Sequence, residues 1–239
     1  MMEAPITEIF CSVQGEGPYV GNRQVFLRFA GCNLNCTYCD TNVQISETCR
    51  YEQDPGSGIF RYVKNPLSPC EVEELIDPFM NVHSLSLTGG EPLLYADFIT
   101  ELNVGVPLYL ESNMTLPDMA KRVKDCISFV SGDVKLPEAF QGEKLNSHIE
   151  KTIETFKILR KTDYRDCFCK IVITKNTNSL DVLNVVAAIR NYISCIVLQP
   201  VTQFELRPNI RVLLELQNEL LGDIDTLIIP QTHKMWGCL

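Results

Sequence analysis

Short apolar runs alternating with segments of helical period constrain this 239-residue chain more than any other feature. The runs are Ser84-Leu85-Ser86-Leu87, Leu108-Tyr109-Leu110, Ile127-Ser128-Phe129-Val130, Ile171-Val172-Ile173, Cys195-Ile196-Val197-Leu198 and Thr226-Leu227-Ile228-Ile229. Each has the length and character of a strand. Segments Glu71 to Met80, Pro117 to Lys124, Ser147 to Arg160, Leu180 to Asn191 and Ile210 to Leu221 read as helices, with Ser147 and Ser179 as N-caps. A repeated βα order predicts a mainly parallel sheet with helices outside. The strands read as continuous rather than alternating, which fits burial on both faces. About six such units predict an α/β fold of partial (β/α) barrel type, in which ligand sites gather at the carboxyl ends of the strands.

One earlier apolar segment, Val25-Phe26-Leu27-Arg28-Phe29, reads as the first strand. The stretch Thr48 to Pro69 breaks the pattern: it is rich in glycine, proline and charge, and reads as an insertion loop near the site. No internal repeat or low-complexity tract is visible. With 45% hydrophobic residues the whole chain, 1–239, reads as a single domain with one core.

Composition excludes several functions. A formal net charge of −9 opposes non-specific binding to nucleic acid, where lysine and arginine must neutralise phosphates. No apolar stretch approaches the roughly 20 residues needed to cross a bilayer, and no basic amphipathic segment offers a surface anchor. The 11 cysteines are odd in number, and Met1-Met2-Glu3-Ala4-Pro5 is no signal peptide, so a reducing, cytoplasmic setting is expected. Cys11, Cys169 and Cys195 lie in apolar surroundings and read as small buried hydrophobes, and Cys167 with Cys169, pointing the same way on one strand, as two core positions or a metal pair.

Cys32, Cys36 and Cys39 stand apart from these. They occur in Gly31-Cys32-Asn33-Leu34-Asn35-Cys36-Thr37-Tyr38-Cys39-Asp40, directly after the first strand. Three thiolates at that spacing can turn inward onto one metal centre, whereas structural zinc sites recruit four ligands. An iron–sulfur cube held by three cysteines keeps one iron open for a substrate molecule. Zinc completed by His83 or Cys49, or plain buried thiols, are the alternatives.

Other polar motifs fall at strand ends. Thr88-Gly89-Gly90-Glu91-Pro92, Glu111-Ser112-Asn113, Ser131-Gly132-Asp133-Val134-Lys135 and Gln199-Pro200 each follow a strand. Gly89 and Gly90 allow close backbone approach, or form a turn with Glu91 as a cap. Asp40 and Thr41 offer hard oxygen ligands of the kind magnesium takes, or a turn closing the cysteine loop. Arg28 can grip a carboxylate through two hydrogen bonds, or pair with a core carboxylate. His233 sits in an apolar and aromatic segment that can fold over the barrel mouth, and Trp236 there reads as packing that tail.

Together these motifs, with Val13-Gln14-Gly15-Glu16-Gly17-Pro18 and His233-Lys234-Met235-Trp236-Gly237, make the chain resemble the radical S-adenosylmethionine superfamily and, within it, the 7-carboxy-7-deazaguanine synthase family. The resemblance implies a [4Fe-4S] cluster on Cys32, Cys36 and Cys39. It implies S-adenosylmethionine held by Tyr38, Gly89, Gly90, Glu91, Ser112, Ser131, Asp133, Lys135 and Gln199, and magnesium on Thr41. A pterin acid would meet Val13, Gln14, Gly15, Glu16, Arg28, Thr88, His233 and Leu239, with 229–239 closing the site. The implied reaction begins with one electron from flavodoxin or ferredoxin and cleavage of S-adenosylmethionine to a deoxyadenosyl radical. Ring contraction of 6-carboxy-5,6,7,8-tetrahydropterin and loss of ammonia follow. A homodimer is implied as well. A glycyl-radical activase and a non-catalytic iron–sulfur or zinc module are the rival expectations.

Overall fold

The computed structural model describes residues 2–39, 41–79, 81–140 and 145–237, without the side chains of 145–147. β1 (Ile6–Val13) and β2 (Arg23–Phe29) form an antiparallel pair, followed by a second one, β3 (Thr48–Glu52) and β4 (Phe60–Lys64). After α1 (Pro69–Ile76) the chain alternates regularly. It runs through β5 (Ser84–Gly89), α2 (Ala96–Glu101), β6 (Leu108–Ser112), α3 (Pro117–Val123), β7 (Ile127–Val134) and α4 (Leu145–Ile158). It continues with β8 (Asp166–Ile173), α5 (Ser179–Ile189), β9 (Ile196–Pro200), α6 (Ile210–Leu220), β10 (Thr226–Ile228) and the short α7 (His233–Trp236).

All ten strands belong to one sheet, ordered β10-β9-β8-β7-β6-β5-β2-β1-β3-β4. From β2 through β5 to β10 every neighbouring pair is parallel, so six crossovers join seven strands into an open half-barrel. The repeated βα pattern predicts this arrangement.

Four details differ from the sequence expectation. First, β1 precedes the expected first strand, and it is antiparallel to β2 because a short connection joins the two. Second, the 48–69 insertion is not mainly loop: β3 pairs in parallel with β1, and only 53–59 forms the glycine-rich turn of a hairpin. That turn's composition masks the two short strands flanking it, which show no regular alternation of burial: in β3 Cys49 and Glu52 are buried and Thr48 is exposed. Third, Asn178 rather than Ser179 caps α5, accepting from Leu180 N at 3.0 Å, and Ser147 lies inside α4. Fourth, α2 was not expected. By contrast α1 starts where its chemistry directs, with Pro69 in the first turn and a capping box between Ser68 and Glu71.

The two faces of the half-barrel are unlike. Outward-facing Val25, Leu27, Leu85, Leu87, Leu110, Val130, Ile171 and Leu198 join helix residues such as Val72, Val123, Phe156, Val186 and Leu213 in one core. The residues between them face inward, because successive strand side chains alternate. These include Gln24, Arg28, Ser86, Thr88, Glu111, Ser131, Asp133, Lys170 and Gln199. Near the amino ends of the strands the inner side is filled by Tyr109, Phe168, Cys195 and Val197, with Tyr19 and Phe129 against them. The strands are therefore not uniformly apolar, contrary to the expectation. Cys11, Cys167, Cys169 and Cys195 are buried as expected.

Candidate active site

A cavity of about 770 Å³ opens on the inner face, toward the carboxyl ends of the parallel strands. That is within the usual range for small-molecule sites. It is lined by Cys32, Cys36, Tyr38, Cys39, Thr41, Gly89, Gly90, Ser112, Asp133, Lys135 and Gln199. Val13, Gln14, Gly15, Glu16, Arg28, Thr88 and His233 line it too. Of the other sequence-predicted residues, Glu91 and Ser131 do not line it, and Asp40 and Leu239 lie outside the described residues.

The cysteine loop is pinned from three sides. Gly31 N donates to Val43 O (2.8 Å), Thr37 N to Ala139 O (3.0 Å), and Asn33 Nδ2 to Thr115 Oγ1 (2.8 Å). Gly89 and Gly90 hold it from beneath: Gly90 N donates to Phe29 O and Glu91 N to Gly31 O, both at 2.9 Å. A Cβ on Gly90 would lie 1.7 Å from Gly31 O, and Gly89 has φ +112°. The close approach that needs these glycines is therefore to the loop's own backbone.

Glu91 anchors the turn that follows. It caps the next turn through Leu93 N (3.0 Å), and accepts from Ser112 Oγ (2.8 Å) and Asn113 N (2.7 Å). Burial pushes its carboxyl up to about 7 against the pull of these three donors. It supports the cavity wall from behind, so the cap reading describes it better than direct contact.

All three thiols line the cavity. None of the three is in a disulfide, and Cys32 Sγ accepts from Leu34 N (3.4 Å) and Asn113 Nδ2 (3.8 Å). The proposed fourth zinc ligands are elsewhere. Cys49 is packed in the core, where burial pushes its thiol up to about 12. His83 bonds Ser84 Oγ at 2.9 Å and packs against Tyr19 and Phe129. Among the described residues no three His, Cys, Asp or Glu side chains converge on a single ion.

A charged chain crosses the inner face from the cysteine loop to the C-terminal segment. Lys135 Nζ, 5.9 Å from the Tyr38 ring centre, pairs with Asp133 Oδ2 at 3.0 Å. Lys170 pairs with Asp133 Oδ1 at 3.3 Å and with Glu16 Oε2. Gln231 Nε2 donates to Glu16 Oε1 at 2.7 Å. Burial alone would raise the Glu16 carboxyl, but Lys170, helped by Gln231 and His233, holds it at about 2. Burial opposes the Lys170 charge as well, yet Asp133, Glu16 and Glu111 keep it well above the ordinary lysine range. Gln199 is buried, and its Oε1 has no hydrogen-bond partner among the described residues. An unpaired buried acceptor on a cavity wall suits a ligand's donor.

Gln14 is committed to the protein. Its Nε2 donates to Gln24 Oε1 and Glu111 Oε1, both at 3.0 Å, and its Oε1 accepts from Glu16 N at 3.0 Å. Both amide protons are used, so Gln14 positions Glu111 and Glu16. Thr88 Oγ1 also donates to Glu111, at 3.0 Å. The C-terminal segment borders the cavity through Gln231, His233 and Lys234: Thr232 N donates to Gly15 O at 2.9 Å, and a Cβ on Gly15 would collide with His233. Trp236 departs from its reading, being 66% exposed rather than packed.

Lys170, Gln231 and Glu8 were not foreseen as site residues, and Glu111 and Asn113 were read only as part of a polar strand end. A signal existed for Lys170, the one charged residue in Cys167-Phe168-Cys169-Lys170-Ile171-Val172-Ile173.

Comparison with known proteins agrees with this geometry. The Radical SAM superfamily matches residues 27–189. A 7-carboxy-7-deazaguanine synthase of Archaeoglobus fulgidus is 46% identical over 237 residues, 99% of each chain. That of Methanothermobacter thermautotrophicus is 36% identical, covering 99% of this chain and 98% of its own. Among solved structures, QueE from Escherichia coli superposes with a TM-score of 0.58 at 18% identity, covering 97% of this chain and 95% of that one, a likeness of fold. A family match across most of the half-barrel and similarity to these synthases over nearly the full length place the chain in the radical SAM superfamily and, within it, in the 7-carboxy-7-deazaguanine synthase family.

Proposed function

We propose that this chain is a carbon–nitrogen lyase, a 7-carboxy-7-deazaguanine synthase. It converts 6-carboxy-5,6,7,8-tetrahydropterin to 7-carboxy-7-deazaguanine with ring contraction and loss of ammonia, serving queuosine or archaeosine formation. One observation carries this reading: three free thiols and a row of inner-face charges surround one cavity, in a chain 46% identical to a curated synthase along its length.

A [4Fe-4S] cluster and S-adenosylmethionine supply the radical chemistry when bound. Cys32, Cys36 and Cys39 hold the cluster. Tyr38, Gly89, Gly90, Ser112, Asp133, Lys135 and Gln199 border the cavity beside it and hold S-adenosylmethionine, while Glu91 and Ser131 support them from behind. Arg28 takes the pterin carboxylate. Val13, Gly15, Glu16, Thr88 and His233 border the ring, and Gln14 fixes Glu16 and Glu111. The segment 229–237 borders the mouth and keeps water out, which protects reactive intermediates.

Magnesium belongs to this reading as a partner of the Thr41 hydroxyl, which lines the cavity beside Cys39. Thr41→Ala should lower product formation more than it lowers S-adenosylmethionine binding. Equal activity with and without magnesium in both proteins would remove the metal. A flavodoxin or ferredoxin donor, a homodimer and a cytoplasmic location complete the proposal, on the strength of the family resemblance and the need for single-electron delivery. No helix among the described residues is long and apolar enough to cross a membrane.

The synthase relatives and the charged cavity favour a small acid over the polypeptide that an activase requires. Anaerobic reconstitution with the pterin acid and mass detection of 7-carboxy-7-deazaguanine tests the function. Cleavage of S-adenosylmethionine without pterin conversion would overturn it.

A further inference from the structure

We propose that Arg50, carried by the β3–β4 hairpin, is a positioning residue for substrate recognition: it neutralises Glu8 and so leaves the Arg28 guanidinium available to an anionic group of the substrate. The inference rests on the reading of Arg28 as the carboxylate anchor.

Strand register puts the three residues in a row. Glu8 on β1 stands opposite Arg28 on β2 and opposite Arg50 on β3. All three line the cavity. Side chains directly opposite on neighbouring strands lie within interaction distance, so one carboxylate sits between two guanidinium groups. The two contacts are unequal. Arg50 Nη2 reaches both carboxylate oxygens, at 2.9 and 3.3 Å, whereas Arg28 approaches only through Nε, at 3.8 Å. The Arg50 guanidinium is steadied by the Phe60 ring of β4, 4.2 Å away. Among the described residues the Arg28 side chain makes no hydrogen bond, and it lies over the Phe10 ring at 5.6 Å.

Two positive charges and one negative leave the row with one positive charge in excess, and the geometry places that excess on Arg28. Without Arg50, Glu8 would face Arg28 alone and compete with any incoming anion for it. The hairpin thereby gains a role in the site: it brings both the counter-charge and the aromatic ring that orients it.

The test is calorimetry on the reconstituted holoenzyme with two ligands, 7-carboxy-7-deazaguanine and 7-deazaguanine, which lacks the carboxylate. Arg50→Met should weaken the acid about tenfold and leave the neutral ligand unchanged. Adding Glu8→Gln to that variant should return acid affinity to within about threefold of wild type. Glu8→Gln alone should leave acid binding at least as tight, and Arg50→Lys should retain it. If Arg50→Met does not fold, these last two variants decide, and weaker acid binding in both overturns the proposal. Unchanged acid affinity in Arg50→Met, equal loss for both ligands, or a loss that Glu8→Gln does not restore also overturns it. If Arg28→Ala leaves acid affinity intact, the anchor reading fails and the inference falls with it. If Arg28→Ala abolishes the preference for the acid while Arg50→Met does not change it, only the inference falls.

Discussion

Lys170 and Ile171 are neighbours on β8, both buried, and they belong to different chemistries. Ile171 faces the helices and joins the apolar core; Lys170 faces the cavity and bridges Glu16 to Asp133. The same division runs across the half-barrel, with Leu87 beside Thr88, Leu110 beside Glu111 and Leu198 beside Gln199. Burial therefore does not distinguish scaffold from site in this fold; side-chain parity along each strand does. The outer face is held by non-directional contacts that tolerate exchange of one apolar residue for another of similar volume. The inner face is a paired polar network, in which loss of one member leaves its partners uncompensated.

Experiments that break this contrast begin with the cysteine loop. Replacing Cys32, Cys36 or Cys39 by alanine should abolish cleavage of S-adenosylmethionine and remove the iron, while the apolar face keeps the chain folded. Iron content, circular dichroism and cofactor turnover measured together check this, and full activity in any one variant would remove that thiol from the centre.

The neighbouring pair on β8 is the sharper comparison. Lys170→Met preserves bulk but leaves Glu16 and Asp133 without their shared cation, so turnover should fall by about a hundredfold or more. Ile171→Ala should cost roughly 2–5 kcal/mol of stability through the cavity it leaves. Its turnover per folded molecule should stay close to wild type. Denaturant melts and steady-state rates on both variants would expose a failure of the parity rule if the two outcomes were exchanged.

Arg28→Ala tests the inner face without touching the network around Lys170. Loss of a charge-assisted contact worth about 1.5–3 kcal/mol should weaken pterin handling by roughly ten- to a hundredfold. Cluster content and S-adenosylmethionine affinity should be retained, and unchanged turnover with unchanged substrate affinity would take Arg28 out of the site.

The last comparison is read in acid. Glu16 is held at about 2 in the fold against an ordinary value of 4.5, so its ionised form stabilises the native state above pH 4.5. That contribution is lost as pH falls from 4.5 toward 2. Stability curves of wild type and Glu16→Gln should converge over this window, and parallel curves would contradict the pairing with Lys170.

Much of the fold was legible because βα alternation is a local pattern, repeated often enough to average out errors at single boundaries. The cysteine loop and the polar strand ends were legible for the same reason. Lys170 was readable in principle, a charge placed within an apolar run, but reading that strand as continuously apolar concealed it. The hairpin was hidden by its own glycine-rich turn. The pairing of Glu8 with Arg50 could not be read at all, since it depends on which strands become neighbours 42 residues apart. The same holds for Gln14, whose saturation by Gln24, Glu111 and Glu16 N is a property of the assembled interior.

The contact of Gln231 with Glu16 joins positions 215 residues apart. At a synthesis rate of roughly 5–20 residues per second, a ribosome needs about 10–40 s to travel between them. For that interval the nascent chain already carries its cysteine loop while the wall that shields it is still unmade. The site is thus closed by residues synthesised long after the strands it rests on, since Gln231 meets Glu16 and Thr232 meets Gly15 only once the last βα unit has been made.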